Sequence, residues 1–130
     1  MRWYIDSSAI IKLIKFEKES AALVASLPRK ILSSNLARIE VLRSIIVFSI
    51  ELLETAYAVL AEIEMLAIDN AVLAATENLP PFITLRTLDS IHLASALTIK
   101  NEVEGIITYD KEMIKAATKL GFKVLSPGMQ

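Results

Sequence analysis

The sequence contains no cysteine and only one histidine, His92, and these two absences exclude several kinds of site. Without cysteine the chain has no disulfide, no thiolate zinc site and no cysteine nucleophile. A single histidine also rules out a zinc site built from several imidazoles. The lack of cysteine fits a reducing compartment such as the cytosol.

Glycine is nearly as scarce, since the chain has only Gly105, Gly121 and Gly128. No glycine-rich loop follows the first apolar segment, so dinucleotide binding and P-loop chemistry are unsupported. No uncharged run approaches the roughly 20 apolar residues that a membrane helix needs. The first residues carry Asp6 and Lys12 where a signal peptide would need an apolar run. We therefore expect a soluble, cytoplasmic protein.

The composition sets further bounds on the fold and on partners. The 130 residues suffice for one domain with its own core, and we expect a single domain over residues 1–130. Hydrophobic residues make up 54% of the chain, a modest excess, so we expect some apolar surface to meet a partner. The net charge of −1 lacks the strong basic character of proteins that grip phosphates without metal. This charge balance tolerates a nucleic-acid substrate without indicating one.

Short apolar segments alternate with helical patterns along the chain. Predicted strands cover residues 3–5, 30–33, 65–68, 105–108 and 122–125, and predicted helices cover 6–16, 17–27, 35–48, 51–64, 70–77, 87–100 and 110–120. Thr87 is the expected N-cap of the sixth helix. The alternation predicts an α/β fold of three layers, α/β/α, with a central parallel sheet of four or five short strands. Ligands of such sheets bind at the carboxyl ends of the strands.

Four acidic residues are candidates for a site at that edge of the sheet. Asp6 and Asp110 each follow a predicted strand, so both should project from the same edge. The aspartates also have plain structural interpretations, because Asp6 and Asp110 can cap helices and Asp89 suits a helix N-terminus. Glu40 lies on a helix that is apolar almost all round, where a carboxylate needs either an ion pair or a metal. Arg43, three residues later, is the available partner for an ion pair.

Taken together, these acids can converge on one pocket. Ligands that offer only oxygen select Mg²⁺ or Mn²⁺ over zinc, and a cluster of like charges needs a cation to offset its repulsion. Such a cation can activate water and stabilise charge on a phosphate. The set therefore predicts phosphodiester hydrolysis, with four residues as catalytic metal ligands: Asp6, Glu40, Asp89 and Asp110.

Each of the four acids lies in a short segment with a recognisable sequence. The segments are YIDSSA at 4–9, RIEV at 38–41, LRTLDSIHLASA at 85–96 and ITYDKEM at 107–113. In order and spacing they resemble the signature segments of PIN-domain ribonucleases, and most of all the VapC-like toxins of toxin–antitoxin pairs. The third segment is the most specific, and the resemblance spans nearly the whole chain.

The resemblance implies both an activity and a set of site residues. It implies a PIN-like α/β/α fold, an endoribonuclease that depends on Mg²⁺ or Mn²⁺, a homodimer, and inhibition by a small antitoxin protein. The family's metal ligands fall on Asp6, Asp89 and Asp110, with Glu40 as the helical acid, and its supporting hydroxyls fall on Ser8 and Thr108.

Other polar or aromatic residues have two interpretations each. Arg86 either orients a carboxylate or a phosphate, or is an ordinary surface charge. His92, three residues after Asp89, is better explained as a packed core residue than as a general acid or base. Trp3 and Tyr4 lie on a predicted central strand, so core packing is favoured over base stacking.

Two other functions are compatible with the same acids. One is a non-catalytic PIN-like interaction module in which the acids only cap helices or form ion pairs. The other is a receiver-like signalling domain that binds Mg²⁺, which would need paired acids after the first strand, whereas Asp6 stands alone there.

Overall fold

Five short strands form one parallel sheet in the computed structural model, which describes all residues from 1 to 130. The strands are β1 (Arg2–Ile5), β2 (Ile31–Ser34), β3 (Glu64–Leu66), β4 (Val103–Ile107) and β5 (Lys123–Leu125). Their order across the sheet is β3-β2-β1-β4-β5, and every neighbouring pair is parallel. This confirms the predicted parallel sheet and puts β1 and β4 side by side near its centre.

Seven α-helices surround the sheet. They are α1 (Ser7–Lys12), α2 (Ser20–Ser26), α3 (Asn35–Phe48), α4 (Leu53–Ala61), α5 (Asn70–Glu77), α6 (Thr87–Thr98) and α7 (Lys111–Lys119). Two short 3₁₀ turns, Ile50–Leu52 and Lys100–Glu102, lead into α4 and β4. None of the helices combines the length and apolarity that a membrane span requires.

Alternate side chains of β1 enter two separate cores. Trp3 and Ile5 pack with buried residues of α1, α2, α3 and α4, whereas Tyr4 packs with residues of α6 and α7 on the opposite face. This is the period-2 alternation expected of a strand that is covered on both sides. It confirms the three-layer α/β/α fold and the prediction that Trp3 and Tyr4 belong to the core.

The strand order also decides between two proposed kinds of α/β domain. Receiver-like domains have the order 2-1-3-4-5, in which the third strand is central. Here β3 is an edge strand and β4 is the neighbour of β1. The receiver-like alternative therefore does not fit this sheet.

Several helix termini differ from the sequence prediction. The second helix, expected from residue 17, begins at Ser20, and the fourth, expected to run through residue 64, ends at Ala61. The first helix was expected to run through residue 16, but α1 ends at Lys12. The Lys12 ammonium donates to Glu17 and Glu19 at 3.3 and 3.1 Å, and these contacts with the following loop accompany the early end. Thr87 is not an N-cap, because the extended residue before α6 is Arg86, whose carbonyl accepts the first helical hydrogen bond, from Ser90.

The expectation of a helix buried almost all round is wrong for α3. Only one stripe of α3, formed by Ala37, Val41 and Ile45, is fully buried against the sheet. Apolar residues on its other sides, such as Ile39 and Val47, are exposed. The four-residue spacing of the stripe is that of a helix lying on a sheet with one face free.

Candidate metal centre

Asp6 is buried where β1 ends and α1 begins. Its Oδ1 accepts the backbone N–H of Ala9, which caps α1, and the Ser8 hydroxyl at 2.6 Å. Its Oδ2 accepts the Thr108 hydroxyl from the end of the neighbouring strand β4. Burial raises the pKa of Asp6 above its ordinary value, and the hydrogen bonds from Ser8 and Thr108 oppose that rise.

Ser8 and Thr108 tie together the loops that follow β1 and β4. The Ser8 oxygen also accepts the backbone N–H of Tyr109 at 3.0 Å. The Thr108 hydroxyl oxygen accepts the backbone N–H of Asp110 at 3.1 Å. Each hydroxyl thus donates to Asp6 and accepts from the segment that carries Asp110. The two residues therefore lie where supporting hydroxyls were expected.

Asp110 caps α7 and at the same time faces a cleft. Its Oδ1 accepts the backbone N–H groups of Glu112 and Met113 at 2.8 and 3.0 Å. The side chain also lines a polar cleft of about 310 Å³. Capping and site formation are therefore not alternatives for Asp110, because one oxygen suffices for the cap.

Asp89 reaches the same cleft from the first turn of α6. Burial, followed by the negative charges of Asp110 and Glu40, raises the pKa of Asp89 above its usual value, while His92 and, to a smaller extent, Arg86 oppose this. Asp89, Asp110 and Arg86 all line the cleft. The cleft therefore places the Asp89 and Asp110 carboxylates, which repel each other, beside the Arg86 guanidinium, which makes no ion pair.

Glu40 does not form the alternative ion pair with Arg43. Its Oε1 instead forms a short hydrogen bond with Nε2 of His92 on α6, and its side chain is 26% exposed. His92 is itself buried, as expected of a core residue. Sequence spacing does not predict this pair, because residues 40 and 92 lie 52 positions apart.

The four acids gather at one edge of the sheet without forming a closed cage. Asp6 is linked to Asp110 through Thr108, and Asp89 lies within the electrostatic reach of both Asp110 and Glu40. No three histidine, aspartate or glutamate side chains are close enough to hold one ion by themselves. This arrangement fits Mg²⁺, which commonly keeps several waters and binds through one or two carboxylates plus substrate phosphates. Asp89 and Asp110 are the pair that the cleft offers for this purpose.

One cleft residue was missed by the sequence analysis. Glu112 lines the cleft with Asp89 and Asp110, although its carboxylate also lies 3.7 Å from the Lys115 ammonium. The signal was present, because Glu112 follows Asp110 by two residues at the start of a helix. Asp110 and Glu112 both lie in the cap and first turn of α7, so both are at the N-terminal end of that helix.

Comparison with known proteins identifies one family. The model of the PIN domain matches residues 3–119. Ribonuclease VapC46 of Mycobacterium tuberculosis is 41% identical over 128 residues, which cover 95% of this chain and 96% of the relative. Ribonuclease VapC35 of the same species is 37% identical over 131 residues and covers 96% of both chains.

Solved structures show the same fold at much lower identity. A toxin–antitoxin complex from Klebsiella pneumoniae aligns over 98% of this chain and 99% of its own with a TM-score of 0.76 and 17% identity. VapC20 of Mycobacterium tuberculosis, described as a toxin that cleaves the sarcin–ricin loop, aligns over 98% of this chain and 100% of its own, with a TM-score of 0.75 and 14% identity. At these identities the likeness concerns the fold alone.

Proposed function

Because the chain belongs to the PIN-domain family, we propose that it is a divalent-metal-dependent endoribonuclease and the toxin of a toxin–antitoxin pair. The relatives named ribonuclease VapC match it over nearly their whole length. The structural observation that carries the proposal is the cleft that Asp89, Asp110 and Arg86 line together, where the charge of Asp110 acts on Asp89. A module that used its acids only as caps would have no need for two repelling carboxylates in one cleft.

In the proposed site, Asp89 and Asp110 would hold Mg²⁺ or Mn²⁺, a cation that commonly keeps several of its waters. The cation would offset negative charge on the scissile phosphate and on the carboxylates. Asp6, at the end of β1, and Glu40, on α3, complete the acidic set. Hydrolysis joins a water oxygen to phosphorus and breaks one of the two ester bonds, leaving a phosphate end and a hydroxyl end.

The remaining site residues position these groups. Ser8 and Thr108 hold both oxygens of Asp6, so its carboxylate cannot turn away from the edge of the sheet. Thr108 also fixes the backbone at Asp110. The Arg86 guanidinium, free of ion pairs and exposed at the cleft, can donate two parallel hydrogen bonds to a phosphate.

RNA cleavage tests the proposal directly. Purified protein is incubated with total cellular RNA in Mn²⁺, in Mg²⁺ or in EDTA, and new 5′ ends are mapped. We expect discrete new ends that need metal, that are lost with Asp89→Asn and that persist with Asp69→Asn. Asp69 is a matched control, because it caps α5 through Val72 and lies outside the cleft. Identical end maps with metal and with EDTA would contradict the proposal.

We also propose an antitoxin as a partner. Several structural neighbours are described as toxin–antitoxin complexes, among them VapBC-1 of Haemophilus influenzae with a TM-score of 0.70. The largest cavity of the chain, about 410 Å³, is an apolar groove along α1 and α2 in which Phe16 and Val24 are exposed. An apolar segment of the antitoxin would cover these side chains. Val24→Glu should weaken capture of a co-expressed antitoxin and leave RNA cleavage unchanged.

A homodimer is the second proposed assembly. Half of the twelve exposed large hydrophobic residues lie on α3 and α4 or in the turn between them: Ile39, Ile46, Val47, Phe48, Ile50 and Tyr57. Exposed apolar surface concentrated in this way is typical of an interface between subunits. Sedimentation should report a dimer for the wild type and a monomer for Val47→Asp, and a concentration-independent monomer for the wild type would contradict the proposal.

A further inference from the structure

A buried chain of hydrogen bonds joins Glu40 to the centre of the sheet through His92 and Tyr4. The Tyr4 hydroxyl on β1 lies 3.0 Å from Nδ1 of His92 on α6. Nε2 of the same ring forms the short hydrogen bond with Oε1 of Glu40 on α3. The Tyr4 and His92 rings meet edge to face, with centroids 6.2 Å apart and planes at 70°. Three separate elements of the fold therefore meet at this imidazole.

The partners of His92 assign a direction to each hydrogen bond. A tyrosine hydroxyl carries its proton at neutral pH, so it can donate to Nδ1. A neutral imidazole that accepts at Nδ1 carries its hydrogen on Nε2 and donates it to the Glu40 carboxylate. Both ring nitrogens are then paired, as a buried imidazole requires. The hydrogen bond from Tyr4 thus favours the tautomer with its proton on Nε2, and that N–H donates to Glu40.

This chain of bonds restricts how Glu40 meets the proposed site. His92 occupies Oε1, which leaves Oε2 as the oxygen available to the site. Glu40 lies close enough to Asp89 for its charge to act on that carboxylate. A glutamate side chain has several rotatable bonds and loses rotamer freedom when it is fixed. Because His92 already fixes the Glu40 side chain, this rotamer freedom is not lost when a metal ion binds.

We propose that His92 and Tyr4 are positioning residues that hold the Glu40 carboxylate in the orientation required by the metal site. The inference rests on the proposed metal-dependent function and deepens it. Core packing alone does not account for the pair, because an apolar residue would fill the same volume without two buried polar nitrogens. Neither residue touches the cleft that contains Asp89 and Asp110, so neither is a catalytic residue.

The tautomer can be measured without metal or RNA. His92 is the only histidine, so protein labelled with ¹⁵N-histidine gives one pair of ring nitrogen signals that needs no assignment. We expect one pyrrole-like Nε2 and one pyridine-like Nδ1 at neutral pH, and a change in Nδ1 with Tyr4→Phe. Tyr109→Phe is the matched control, because that hydroxyl donates to the Pro127 carbonyl instead. Two pyrrole-like nitrogens, or a spectrum unaffected by Tyr4→Phe, would overturn the assignment.

Metal affinity separates positioning from packing. Mn²⁺ binding is measured by calorimetry for the wild type, His92→Leu and His92→Gln. Leucine fills volume without donating, whereas the glutamine amide keeps an N–H donor at a similar reach. We expect His92→Leu to weaken Mn²⁺ binding about 10–100-fold, as loss of a partner of a metal ligand typically does. His92→Gln should restore most of the affinity.

The outcomes distinguish this inference from the function on which it rests. Equal Mn²⁺ affinity in the wild type and His92→Leu would overturn the positioning role and leave the nuclease proposal intact. Equal losses in the leucine and glutamine variants would also overturn it, because they would indicate packing only. A wild type that binds no Mn²⁺ would refute the metal site itself, whatever the histidine spectrum shows.

Discussion

The Thr108 hydroxyl donates to Oδ2 of Asp6 and accepts the backbone N–H of Asp110, so one side chain connects the ends of two central strands. Thr108 is fully buried and Asp6 nearly so. Solvent therefore cannot replace the hydrogen bond if the hydroxyl is removed. The relationship also explains how acids more than 100 residues apart in the chain are held at one edge of the sheet.

Thr108→Val should destabilise the protein. Valine has the same shape but leaves a buried oxygen of Asp6 without its donor, which costs about 1–3 kcal/mol. Urea unfolding measures the free energy of unfolding. Thr118→Val is the control, because Thr118 is exposed and its hydroxyl bonds only to a carbonyl of its own helix. That change should stay within about 0.5 kcal/mol, and equal losses in both variants would count against the special role of Thr108.

Asp89→Asn should leave the metal-free protein as stable as the wild type or make it more stable. The folded state disfavours the charged form of Asp89, which is partly buried and lies near Asp110 and Glu40, so a neutral amide relieves repulsion. The wild type should gain about 2.7 kcal/mol when Mn²⁺ reaches 100 times its Kd, and the variant should gain little. Thermal unfolding in EDTA and in Mn²⁺ measures both effects. A variant that is less stable in EDTA yet keeps the Mn²⁺ gain would contradict this prediction.

Two substitutions separate the two roles of Asp110, the cap of α7 and the carboxylate in the cleft. Asp110→Ala removes both the cap of α7 and the cleft carboxylate, and losing the cap should cost about 0.5–2 kcal/mol. Asp110→Asn keeps a good capping side chain and removes only the charge. We expect both variants to lose RNA cleavage and only the alanine variant to lose stability. If cleavage survived in Asp110→Asn, the residue would be a cap and nothing more.

Arg86→Ala should weaken RNA binding without weakening Mn²⁺ binding, because it removes a positive charge beside Asp89. Removing one phosphate contact reduces the slope of log affinity against log salt by about 1. Binding of a catalytically inactive Asp89→Asn protein to RNA, with and without Arg86→Ala, gives that slope over a salt series. Arg29→Ala is the control, since Arg29 is exposed and makes no ion pair. An unchanged slope for Arg86→Ala would show that this guanidinium does not contact phosphate.

Local patterns in the sequence predicted much of the fold. The bounds predicted for α3 and α5 match the structure, because capping residues and apolar periodicity fix such helices locally. The parallel sheet also followed from alternating strands and helices. Errors occurred where side-chain contacts outside a helix coincide with its end. The end of α1 accompanies the pairing of Lys12 with Glu17 and Glu19, which the apolar pattern of the helix does not reveal.

The sequence by itself determined which residue types are available: four acids in four motif segments, hydroxyls beside two of them, and neither cysteine nor a second histidine. Together with the alternation of strand and helix patterns, these residues were enough to predict the α/β fold, the family and a site for a hard cation. Only the tertiary structure decided which oxygen meets which partner. Arg43 was the only partner that the sequence offered for an ion pair with Glu40, because helical spacing identifies only neighbours along the same helix. The buried imidazole of His92 comes instead from another helix, 52 residues away. Spacing along the sequence determines which residues share one face of a helix. The packing of the helices on the sheet determines which residues that face contacts.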